Sequence, residues 1–215
     1  MVLDSEITIV SGLPRSGTSL MMQMLHCGGM SVVTDKIRAA DVNNPRGYFE
    51  FEKVKKIKED ASWLPDARGK VFKMVSQLLY DLPSNERYRV IFMERDLDEV
   101  LSSQEQMLER AGREAASRDR MKHSYTLHLD RLESWLRRQA HFQVLHVSYN
   151  DLVEYPEREA ERVDRFLGGT LVVGKMASAV DASLYRSRMN AKNQSRYAVH
   201  SQHPVGDASE VLDRR

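Results

Sequence analysis

The chain has 215 residues, 41% of them hydrophobic and 29% charged, enough for one domain with a full core, since domains of this size bury about 70% of the surface the unfolded chain exposes. Its 32 basic and 31 acidic side chains leave a net charge of +1, which excludes a general nucleic-acid binder and confines any anion site to a few placed basic groups. The single cysteine, Cys27, excludes an internal disulfide and reads as a small buried hydrophobe on a helix.

In chain order, Asp4 and Glu6 precede a short apolar run ending at Gly12, which is neither a signal peptide nor a membrane span; the cytoplasm is the expected compartment. Residues 7–10 are β-branched and apolar, as in a strand buried on both faces of a parallel sheet. A turn at 11–16 leads into a helix over 19–26, stopped by Gly28 and Gly29, and a second strand is expected at 30–33. Residues 41–48 form a loop by their Asn, Pro and Gly content, and 52–60 read as a charged, exposed helix. Strands follow at 70–76 and 88–94, helices at 97–110 and 118–139, a strand at 142–149, and a helix at 156–167 with Pro156 in its first turn and Gly168 and Gly169 after its end. The charge runs Glu109, Arg110 and 113–120 are solvated helix faces. The alternation predicts an α/β fold of P-loop type: one domain over 1–189 with a mostly parallel sheet, helices on both faces, and strand-to-helix loops along one binding edge. Beyond Met189 the pattern turns polar, so 190–215 reads as a mobile tail.

The chemistry concentrates in Gly12-Leu13-Pro14-Arg15-Ser16-Gly17-Thr18-Ser19, between the first strand and the first helix. Backbone N–H groups in such a loop converge on an anion, and the helix N-terminus adds partial positive charge. The Gly12 to Gly17 spacing is that of the P-loop, yet Thr18 stands where a nucleoside-triphosphatase requires lysine, and the cation has moved back to Arg15. The loop suits a phosphate ester or anhydride held in another manner; a plain strand-turn-helix connection is the competing reading.

The segment Leu13-Pro14-Arg15-Ser16-Gly17-Thr18-Ser19-Leu20 resembles the 5′-phosphosulfate loop of sulfotransferases that use 3′-phosphoadenosine-5′-phosphosulfate (PAPS), and the chain is most similar to small bacterial sulfotransferase-like proteins of unassigned substrate. In that family an Arg at the end of a buried strand, with a Ser eight residues later, holds the 3′-phosphate; Arg95 and Ser103 have this spacing and context. Arginine can grip phosphate bidentately, and a helix-borne hydroxyl adds a donor. The stretch containing Arg186 and Arg188 resembles a short version of the basic segment that closes over the 3′-phosphate, with a basic surface tail as the alternative.

Sulfuryl transfer is an in-line displacement like phosphoryl transfer, with less charge on the moving group, so cationic side chains suffice and no metal is required. Arg15 is the first candidate to stabilise that group; Lys73 is the second, because the resemblance puts a catalytic Lys or His on its strand. A general base is needed on the acceptor side. The histidine used by many members has no aligned counterpart: His26 lies on the first helix, where it reads as packed or capping, and His123 and His128 lie on a later one. Other branches use a carboxylate after the second strand, which makes Asp35 the first candidate, then Glu50 and Glu52. Tyr48, Phe49 and Phe51 could line an acceptor pocket or belong to the core. The helix at 118–139 could cap that mouth or mediate dimerisation.

The function implied is transfer of a sulfuryl group from PAPS, released as 3′-phosphoadenosine-5′-phosphate (PAP), to a hydroxyl or amine of a small acceptor, by a monomer or homodimer without nucleic-acid or membrane partners. Two alternatives stand beside it: a P-loop kinase or NTPase-like phosphotransferase, favoured by the apolar strand ending at Glu94, and a non-catalytic PAP-binding protein.

Overall fold

The computed structural model describes residues 5–35, 47 and 49–181. The expected tail at 190–215, Tyr48, Arg186 and Arg188 lie outside the described residues, as does the loop at 41–48 apart from Gly47. Four strands form one sheet in the order β2-β1-β3-β4: β1 (Ile7–Gly12), β2 (Val71–Lys73), β3 (Tyr88–Glu94) and β4 (Phe142–Ser148). Every pairing is parallel, with Ile9 opposite Phe72 on one side and Val90 on the other. Parallel neighbours need crossovers, and the crossovers put a layer on each face.

Side chains alternate between those layers as strand pleating requires. Val10, Ile91, Met93 and Val147 point to the face covered by α1 (Thr18–Cys27), α5 (Pro156–Phe166) and α6 (Val173–Ser178), where they meet Met21, Leu25, Val163 and Met176. Ile7, Ile9, Phe72 and Val90 point to the other face, against Trp63, Leu64 and Leu79 and against Leu132 and Leu136 of α3 (Arg118–Leu136). A third cluster joins Leu13 to Leu97, Val100 and Leu101 of α2 (Leu97–Arg110) and to Tyr125 of α3. Each fully buried aliphatic side chain contributes about 1.5–3 kcal/mol.

Several expectations are corrected. The strand at 30–33 is a single bridge, Val32 to Val71; the chain then leaves the sheet because Thr34 and Asp35 bond to the Glu50 carbonyl instead. The helix at 52–60 is a short 3₁₀ helix, Glu52–Lys56, and Val54 and Ile57 are buried, so the segment is not wholly exposed. Cys27 is exposed rather than buried, since it sits on the last turn of α1 beyond the buried Met24 and Leu25. Helices α4 (Tyr149–Glu154) and α6 were not anticipated. The first is one capped turn, with the Ser148 hydroxyl accepting from the Asp151 N–H. The second contains Val173 and Gly174, poor helix formers, and persists because Met176 and Ala177 are buried. His26 is exposed, its ring 6.2 Å from that of Phe49. No helix among the described residues is long and apolar enough to cross a membrane.

Ile91 is fully buried in the central strand pair, so Ile91→Ala should cost about 3 kcal/mol. Denaturant unfolding should show a lower midpoint with unchanged slope; a loss below about 1 kcal/mol would contradict this packing.

Candidate functional site

From β1 the chain passes through α1 to β2 on one side, whereas β3, on the other side, leads on to β4. Adjacent strands whose connections depart in opposite directions leave a crevice at their carboxyl ends. The register brings three predicted positions to this edge: Val10 lies opposite Lys73, Gly12 opposite Met93, and Arg95 follows two residues after Met93.

The loop from Leu13 to Ser19 is shaped by close approaches. A Cβ on Gly12 would lie 2.5 Å from Ser16 Oγ and 2.7 Å from the Met93 carbonyl oxygen; one on Gly17 would lie 2.3 Å from the Tyr149 ring. Gly17 is also left-handed, with φ 99°, immediately before α1. Leu13 is buried in the α2–α3 cluster and its carbonyl accepts from the Ser16 N–H, while Pro14 is exposed. Arg15 adopts φ 72°, a conformation that non-glycine residues enter at a cost of order 1–3 kcal/mol. Ser16 is buried, yet its hydroxyl has no hydrogen-bond partner, and the same holds for Ser11 at the end of β1. An unpartnered buried hydroxyl costs about 1–3 kcal/mol. Thr18 and Ser19 open α1, whose first-turn N–H groups have no acceptor within the helix. A bound anion would satisfy these donors, so the residues present fit a phosphate or phosphosulfate group.

The second predicted element converges on the first. Arg15 donates through Nε to Ser103 Oγ (3.0 Å), and Arg95 donates through Nη1 to the Arg15 carbonyl (3.2 Å). Arg95 is itself fixed on two sides: its Nε pairs with Glu99 Oε2 at 2.9 Å, and its guanidinium carbon lies 4.3 Å from the centre of the Tyr149 ring. Glu99 stands in position because Asp96 caps α2, its carboxylate accepting from the Asp98 and Glu99 N–H groups. Burial pushes the Tyr149 phenol up, with Arg95 acting against it. Two guanidinium groups, Arg15 and Arg95, thus meet at the loop, with Glu99 paired to one of them.

On the other side of the loop, Lys73 Nζ donates to Ser19 Oγ at 3.3 Å. Asp35 and Glu50 are brought together by backbone pairing: the Asp35 N–H donates to the Glu50 carbonyl at 3.2 Å, and Asp35 Oδ2 accepts from the Glu52 N–H at 2.6 Å. Phe49 and Phe51 pack against the two core clusters, Phe51 edge-on to Trp63 at 5.1 Å. Leu13, Arg15, Ser16, Gly17, Ser19, Lys73, Arg95 and Ser103 thus share one edge of the sheet, and Asp35 with Glu50 forms a separate pair on the segment between α1 and β2.

Three features of this region are not announced by local sequence patterns. Tyr149 ends the strand expected at 142–149, and its place just after the parallel strand β4 brings it to this edge. Glu99, one turn after the Arg95 strand end, has nothing in its local pattern to set it apart from an ordinary helix acid. The contact between Ser76 Oγ and His128 Nε2 at 2.9 Å joins residues 52 apart, and no local pattern announces it.

The chain matches the sulfotransferase domain family over residues 5–206. Among solved structures it is similar to the sulfotransferase domain from the curacin biosynthetic pathway (13% identity, 88% of this chain and 94% of that one, TM-score 0.49). It is also similar to a sulfotransferase from Alicyclobacillus acidocaldarius (14% identity, 76% and 81%, TM-score 0.46). No curated protein matches it. The match covers nearly the whole chain and includes both the loop after β1 and the arginine after β3: the protein belongs to the sulfotransferase domain family.

Proposed function

We propose that this sulfotransferase takes its sulfuryl group from PAPS and delivers it to a hydroxyl or amine of a small acceptor by in-line displacement. The observation that carries the reading is the buried, unpartnered Ser16 hydroxyl inside a glycine-walled loop at the start of α1, with Arg15 and Arg95 joined behind it. PAPS, when bound, supplies the activated sulfuryl group and departs as PAP. Leu13 to Ser19 offer backbone N–H groups, and Ser16, Thr18 and Ser19 offer hydroxyls, to the 5′ end of the nucleotide. Arg95 and Ser103 hold the 3′-phosphate, and Glu99 with Tyr149 keeps the Arg95 guanidinium oriented before the nucleotide arrives. Arg15 and Lys73 flank the start of α1 and neutralise charge that grows on the oxygen between sulfur and the 5′-phosphate. Asp35 and Glu50 border the acceptor side, with Asp35 the first candidate to take the acceptor's proton.

Calorimetric titration with PAP and with 5′-AMP tests the 3′-phosphate assignment. Wild type should prefer PAP. Arg95→Ala should lose about 10–100-fold in PAP affinity, the worth of a charge-assisted hydrogen bond, and lose markedly less for 5′-AMP. Equal loss for both ligands would reduce Arg95 to a brace for the loop.

Lys73→Met should lower PAPS turnover, followed as PAP released with a panel of phenols, alcohols and amines, by about 100–1,000-fold. PAP affinity should stay within a few-fold of wild type; turnover near the wild-type rate would remove Lys73 from the chemistry.

A further inference from the structure

Near the carboxyl end of β4 a histidine is set between two carboxylates, outside the machinery assigned above. His146 lies opposite Phe92 in the β3–β4 register, and its ring centre is 5.6 Å from that of Phe92, so it faces the layer that holds α3. Its Nδ1 lies 2.8 Å from Glu94 Oε1, at the end of β3. Its Nε2 lies 3.5 Å from Glu133 Oε2 on α3, next to the buried Leu132. One imidazole thereby touches three elements that are far apart in sequence.

A neutral imidazole has one N–H and one lone pair. With a carboxylate oxygen facing each nitrogen, the neutral ring donates to one and turns its lone pair on the other. Only the imidazolium attracts both, so the arrangement suits the charged form. The charged neighbours leave this place to it. Arg137 Nε donates to the other Glu133 oxygen, Oε1, at 3.0 Å. From α5, Arg162 donates to the His146 carbonyl at 3.3 Å and to the Glu159 carboxylate. The acids of α4, Asp151 and Glu154, are taken by Arg158 and by the Tyr155 hydroxyl.

We infer that His146 is a pH-sensitive tie: as imidazolium it fastens the carboxyl-terminal half of α3 to the ends of β3 and β4, and as neutral imidazole it lets one carboxylate go. Leu132 and Leu136 remain buried in the apolar core, so loss of the tie weakens the docking of α3 without removing it. The same helix backs the loop after β1, through Tyr125 against Leu13. Burial by itself would push the imidazole down, but the Glu94 hydrogen bond and the charges of Glu94 and Glu133 outweigh burial and the opposing Arg137. They hold the folded-state pKa above the ordinary 6.5. The folded chain thus keeps a proton that the unfolded chain loses earlier. The contribution of the tie is complete below pH 6.5 and fades as pH rises through the folded-state value.

The test uses the full chain. Long-range ¹H–¹⁵N spectra over a pH series should show both His146 nitrogens protonated at about pH 6, with a titration midpoint above 6.5. That midpoint should fall in Glu94→Gln and in Glu133→Gln. Denaturant unfolding at about pH 5.5 and about pH 9 reads the linkage, with His146→Gln, polar but unable to take the proton, as the reference. Between these pH values, wild type should lose about tenfold more in its folding equilibrium constant than the variant for each unit by which the measured midpoint exceeds 6.5. A His146 midpoint at or below 6.5, or one that either carboxylate change leaves unmoved, would overturn the inference. So would the same pH dependence of stability in wild type and His146→Gln. None of these readouts involves the nucleotide, so the sulfotransferase reading stands or falls separately.

Discussion

One guanidinium group joins the parts of this site that come from distant stretches of chain. Arg95, just after β3, pairs with Glu99 on α2, donates to the Arg15 carbonyl in the loop after β1 and lies over Tyr149 at the start of α4. Both partners of its ion pair are buried, so the desolvation cost is several kcal/mol per ion, and removing either partner would strand the other, a loss of about 3–5 kcal/mol. The pair therefore serves specificity of shape more than stability. It ties the loop that carries Ser16, Thr18 and Ser19 to the ends of β3 and α2.

The loop is constrained equally from below. Tyr149 leaves no room for a Cβ at Gly17, and Ser16 leaves none at Gly12, so the backbone approaches its neighbours as only glycine allows. The structure holds Arg15 left-handed and two serine hydroxyls unpartnered at this same place. Strain and unmet hydrogen bonds gathered at one spot are what a protein tolerates where a ligand repays them. On a chain with a net charge of +1, Arg15, Arg95 and Lys73 stand around this one loop.

The parts of this arrangement that were legible in sequence are those carried by short, local patterns. The apolar β-branched runs of β1 and β3, the glycine frame with Arg15, and the Arg95–Ser103 spacing each lie within a dozen residues, and the structure brings them to one edge. The loop's third wall was not legible: Tyr149 reaches it only because β4 pairs beside β3, a fact of sheet order rather than of spacing. The same holds for Ser76 and His128, whose contact depends on where α3 crosses the sheet edge. At 30–33 the apolar pattern favoured a strand, but side-chain and backbone bonds from Thr34 and Asp35 to Glu50 drew the chain away after one bridge. Helix α6 had no propensity to announce it and exists through burial of Met176 and Ala177.

The most direct test of the account is a crystal structure of the protein with PAP. The account predicts the 5′-phosphate against the N–H groups of residues 16–19, with the Ser16 hydroxyl turned onto it. It also predicts the 3′-phosphate within hydrogen-bond distance of Arg95 and Ser103, with the Arg95–Glu99 pair intact. PAP bound away from the loop, or a 3′-phosphate in solvent with Ser16 still unpartnered, would contradict it.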